Sequence, residues 1–153
     1  MTLASLRQAI ATRISTIPAP TGWSEAPVPW DLHSASGVPA AVPSSRLHLS
    51  YAVGLPETEA TGRRHRALDG VRCRSLVTVR VLCRLAPLDQ LASLDAALAA
   101  EEALIDHLDH QDAIWPAADL TIYWQGTRRA AAPTGDWLLL EVRFATDHTL
   151  ALT

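Results

Sequence analysis

At 153 residues the chain has the size of one ordinary domain, and 48% apolar against 19% charged residues excludes a disordered polypeptide. A formal charge of −3 argues against a general nucleic-acid binder, whose footprint should be basic. No apolar run approaches the roughly 18 residues of a membrane-spanning helix.

Arg7 and Arg13 interrupt the apolar pattern of the first residues, unlike a signal peptide, so an intracellular chain is expected. All 13 basic residues are Arg, which fits the coding bias of a GC-rich genome. Five Trp against one Phe and two Tyr points toward assembly, because Trp is enriched at protein contacts. Cys73 and Cys83 have no second pair and no zinc or redox spacing, and are expected as buried free thiols.

In chain order, Leu3, Leu6, Ile10, Ile14 and Ile17 recur at helical spacing and predict a helix over 2–16, ended by Pro18 and Pro20. Residues 18–45 hold six prolines and no period, and predict a long irregular loop carrying Trp23 and Trp30. A short edge strand near Val28 is the one element expected there. Residues 46–55 alternate and predict a half-buried strand, with Leu47, Leu49, Tyr51, Val53 and Leu55 inward and Pro56 as its stop. A polar connection, 56–69, contains Arg63, Arg64, His65 and Arg66.

Residues 70–85 carry the clearest alternation. Val71, Cys73, Ser75, Val77, Val79, Val81, Cys83 and Leu85 form one face. Arg72, Arg74, Thr78, Arg80 and Arg84 form the other, with Leu76 and Leu82 among them, as in an antiparallel strand with one wet side. Pro87 opens a helix over about 88–110, with Leu91, Leu94, Leu98, Ile105 and Leu108 as its apolar stripe. Asp89, Asp95, Glu101, Glu102 and Asp106 are expected mostly away from that stripe. Two strands follow: 119–125, with Leu120, Ile122 and Trp124 on one side, and 136–146, with Leu138, Leu140, Val142 and Phe144 inward. The link 126–135 holds Gly126, Pro133 and Gly135 and reads as a hairpin loop. The expected fold class is α+β: one mainly antiparallel sheet of about four strands, both helices on one face, in the order α-loop-β-β-α-β-β. One domain over 1–153 is expected.

No phosphate-binding, dinucleotide, nucleophile-elbow or zinc-protease motif is present. Asp106, His107, Asp109, His110 and Asp112 are the best metal candidates, but histidines at a helix C-terminus are favoured by the dipole, and exposed capping residues are the better reading. Asp31 and His33 stand near no nucleophile, and Asp147 and His148 carry no pattern. No catalytic residue, metal or cofactor is expected. Arg63, Arg64, Arg66, Arg72, Arg74, Arg80 and Arg84 concentrate positive charge within a short stretch. A subunit-contact surface and a solvated strand face balanced by Glu57, Glu59 and Asp69 are equally good readings of it.

The opening LRQAIATRI, the strand VRCRSLVTVRVLCRL feeding LDQLASLDAALAAEEALIDHL, and the last segment DWLLLEVRFATDH resemble the tail terminator (tail completion) proteins of tailed bacteriophages and related gene-transfer particles. The likeness is one of pattern and covers nearly the whole chain. It implies a structural virion protein, made in the bacterial host cytoplasm, with no membrane and no enzymatic role. Such proteins form a hexameric ring at the head-proximal end of the tail. The ring ends tail-tube polymerisation and joins the tube to the head–tail connector or stopper, and DNA passes through its lumen unread. Another head–tail interface protein, a stopper or adaptor, is the nearest alternative, and a small metal-dependent enzyme a distant one. On the ring reading, Trp23, Trp30, Arg72, Arg74, Arg80, Arg84, Glu101 and Glu102 are the expected subunit or tube contacts.

Overall fold

The computed structural model describes residues 1–19, 28–29, 49–62, 70–85, 90–109, 115, 120–131 and 135–151. The predicted α+β architecture is present, in the predicted order.

Helix α1 spans Leu3–Ile14 and starts at a capping box. The Thr2 hydroxyl accepts from the Ser5 amide at 3.1 Å, and the Thr2 amide donates to the Ser5 hydroxyl at 2.9 Å, so two orphan donors of the first turn are satisfied. Leu6, Ile10 and Ile14 are buried as the spacing predicts, and Ile17 is buried just beyond the helix.

Four long strands and one short one form a single sheet in the order β1-β2-β3-β5-β4. Strand β1 is Val28–Pro29 and pairs parallel to the start of β2, which is the edge strand expected near Val28. Strand β2, Ser50–Ala60, pairs antiparallel to β3, Gly70–Arg84. Strand β5, Trp137–Ala151, pairs antiparallel to β3 along its whole length, from Gly70 opposite Ala151 to Arg84 opposite Trp137. Strand β4, Thr121–Ala131, closes the far edge antiparallel to β5. Helix α2, Gln90–Asp109, carries the chain from β3 to β4.

Two predicted strand limits are corrected, both at bulges. Pro56 does not end β2, because the ladder slips between Gly54 and Glu57 and resumes to Ala60. A proline has no amide to give a ladder, and a bulge on an edge needs none there. Likewise 126–131 is strand and not hairpin loop. Gly126 stands at a second register shift with φ of 139°, a conformation that only glycine adopts without strain. Strand β5 also runs past the predicted limit at 146 to Ala151.

One face of the sheet meets both helices. Val77, Val79, Val81 and Cys83 from β3 and Leu138, Leu140, Val142 and Phe144 from β5 are buried there with Leu6, Ile10 and Ile14 of α1 and Ala97, Leu104 and Leu108 of α2. The Tyr51 hydroxyl donates to the Ala11 carbonyl at 2.8 Å and pins α1 over β2. The stripe predicted for α2 needs correction. Leu91 is 72% and Leu94 37% exposed, while Ala97, Glu101, Leu104 and Leu108 turn inward. The opposite face of the sheet is the predicted arginine face. It is not wet throughout: Ser50, Ala52, Thr78 and Leu82 are buried.

Candidate functional site

The candidate site is the face of the sheet that neither described helix covers. Period-two alternation puts Arg72, Arg74, Arg80 and Arg84 on the side of β3 opposite the buried valines. The register then sets Asp147 beside Arg74 and Glu141 beside Arg80, so neighbouring strands neutralise part of the charge. Arg74 holds Asp147 with two hydrogen bonds, Nε to Oδ1 at 2.9 Å and a terminal nitrogen to Oδ2 at 3.1 Å. The Tyr123 hydroxyl of β4 donates to the same Oδ2. Arg80 Nε reaches Glu141 Oε2 at 3.2 Å. Charged pairs thus run from β3 across β5, with Tyr123 joining from β4.

The fork from Arg74 holds the Asp147 carboxyl below its ordinary range; partial burial opposes this and the Tyr123 hydrogen bond reinforces it. The sign follows. A depressed folded pKa contributes stability above the ordinary value of 3.8, and that contribution disappears as pH falls through the folded value. A carbon-detected titration of Asp147 should find a midpoint below 3.8, moving up in Arg74→Ala. A midpoint unchanged by that substitution would break the assignment.

A cleft of about 340 Å³ lies at this end of the sheet, lined by Thr61, Arg72, Cys73, Arg74, Thr121, Asp147 and His148. Beneath it, on the helix side, a polar chain runs from exposed Thr58 to buried Ser75 (2.7 Å between hydroxyls) and on to buried His148 Nε2 at 2.9 Å. Asp147 and His148 were without a motif in the sequence. Their opposite placement follows from strand alternation, which sends one to the charged face and the next to the core.

The other expected residues fall differently. Glu101 is buried, and Arg129 of β4 grips it through Nε at 2.8 Å and a terminal nitrogen at 2.7 Å. It joins α2 to β4 within the chain, so the expected placement at a neighbour-facing surface is corrected. Glu102 is exposed. Trp23 and Trp30 lie outside the described residues. His107 Nε2 meets the Thr16 hydroxyl at 2.9 Å, and its carbonyl accepts from Arg13 Nε at 3.2 Å. Burial, with the Arg13 charge, lowers its pKa. His107 therefore ties the ends of the two helices together; His110, the other histidine of the candidate metal cluster, is outside the described residues. Arg13 also stacks over Trp115, 5.6 Å from the ring centre. Cys73 and Cys83 are buried free thiols as predicted, and burial beside Glu101 pushes the Cys83 thiol up to about 12.

No protein-family model matches this chain, and no curated protein does. Among solved structures, it is similar to a chain from "Virion of native gene transfer agent (GTA) particle", with a TM-score of 0.47 and 18% identity over 71% of this chain and 75% of that one.

Proposed function

We propose that this chain is a tail terminator: a structural virion protein that forms a ring, of six copies on the family pattern, at the head-proximal end of a phage-like tail. The ring stops tail-tube growth and presents a surface to the head–tail connector or stopper. The observation that carries this reading is the one-sided sheet. Both helices cover one face, and the other presents Arg72, Arg74, Arg80 and Arg84 interleaved with Asp147 and Glu141. Such a face suits a subunit boundary or a lumen through which DNA slides, since spaced charges of both signs hold polyanions only weakly. The family pattern of short helix, irregular loop, two strands, helix and two strands supports the same reading.

The test is a reconstruction of particles that contain the protein. A ring of copies between tube and connector is the expected result; a single copy per particle overturns it. Arg72→Glu with Arg74→Glu probes the face itself. The pair to Asp147 is solvent-exposed, so folding should lose no more than about 1 kcal/mol. Particle assembly should fall sharply, and normal yield from the double variant would count against the role given to this face.

A further inference from the structure

Among the described residues the sheet has two open edges, and they differ in charge. Beyond the two residues that β1 covers, Gly54–Ala60 of β2 has no strand neighbour among the described residues on its outer side, and Glu57 and Glu59 are exposed there. At the other edge, β4 has no strand neighbour beyond β5 among the described residues, and Arg128 is exposed. None of these three side chains makes an ion pair among the described residues. All three lie on the face that neither described helix covers. Arg128 is opposite Glu141, which is opposite Arg80; Glu57 is opposite Leu76, and Glu59 opposite Arg74.

We propose that β4 of one copy pairs antiparallel with the Gly54–Ala60 half of β2 in the next copy, setting Arg128 against Glu57 and Glu59 and continuing one sheet around the ring. This rests on the ring reading above and names its interface.

Strand direction agrees. The four long strands alternate in direction, so β4 runs opposite to β2, and a copy added by rotation about an axis along the strands extends the alternation unbroken. Such a contact is heterologous, which a ring requires.

Register agrees as well. Within one copy the row through Arg128 runs by Glu141 and Arg80 to Ala52. Meeting Glu57 instead of Ala52 in the next copy shifts the row from Arg80 to Leu76, four positions along β3. At about 3.3 Å per residue that is about 13 Å, gained over four strands spaced about 4.8 Å apart. The implied strand tilt is about 35°; meeting Glu59 instead gives about 46°. Closed sheets tilt by about 35–45°. The charge-matched registers thus supply the stagger that closure needs, whatever the number of copies. The bulges at Gly54–Glu57 and Trp124–Gly126, with Pro56, whose nitrogen carries no hydrogen, would discourage pairing out of register.

The test is a disulfide between copies. In one chain, positions 57 and 128 lie on opposite edges, about 14 Å apart across the sheet alone, beyond disulfide reach. Glu57→Cys with Arg128→Cys, oxidised at high concentration, should give a ladder of covalent oligomers on a non-reducing gel; each single substitution should stop at dimers. Charge reversal is the second arm. Arg128→Glu should cut ring formation by more than about tenfold, and adding Glu57→Arg with Glu59→Arg should restore it. Rings that form normally in Arg128→Glu, with no ladder from the cysteine pair, overturn the edge pairing and leave the ring reading standing; the edge charges then only keep copies apart. A parent protein that forms no ring in particles overturns both.

Discussion

Replacing Arg129 by Ala should cost about 3 kcal/mol, at the low end of the range for breaking a buried ion pair. The Glu101 side chain is 4% exposed and holds both of its hydrogen bonds from that one guanidinium, which is itself 48% exposed. Removing the arginine leaves a carboxylate under α2 with nothing to compensate its lost hydration. The desolvation cost, not the attraction lost, dominates the result. Glu101→Leu with Arg129→Leu should therefore recover most of the loss, because neither variant side chain brings a charge into the core. Urea midpoints of the parent, single and double variants make the comparison. A loss below about 1 kcal/mol in Arg129→Ala would show the pair acting as an ordinary surface bridge.

Phe144→Ala should cost about 3–5 kcal/mol. Phe144 is fully buried in β5, one of the two strands flanked on both sides by other long strands. Its removal opens a void in the core between the sheet and the helices. Trp124 stands directly opposite on β4 but is 43% exposed, so Trp124→Ala should cost only a fraction as much. Equilibrium unfolding of the two variants tests this, and equal losses would mean that the edge is as tightly packed as the centre.

This contrast shows where sequence reading succeeds. Alternation in 70–85 and 136–146 identifies the two central strands and their inward residues, because a strand buried on one side has no other way to place Val79 or Leu140. Edges are harder. Pro56 and Gly126 carry the usual marks of a strand end, yet each sits at a bulge, and a bulge leaves no periodic signature. In α2 the spacing of the leucines from Leu91 predicts a buried stripe. The true buried line includes Ala97 and Glu101, and only the arginine opposite on β4 makes a carboxylate acceptable there. That partner is set by sheet register, which α2 itself does not encode. The arginine face was legible from spacing; the role of Asp147 as its acceptor needed the pairing of β3 with β5.

The position of β5 has a consequence for biosynthesis. It is the final described strand in the chain, yet it lies between β3 and β4. Until it emerges from the ribosome, β3 lacks one neighbour and β4 lacks its only one among the described strands. The Met1 carbonyl also waits for Ala151, whose amide it accepts at 2.9 Å, and the α-amino group of Met1 for the Thr149 carbonyl at 3.0 Å. Completion of the sheet thus waits for β5. A nascent chain halted before residue 137 holds a hairpin and two helices, with no completed sheet edge at β4 for another copy to find. The topology itself delays assembly until β5 has been made.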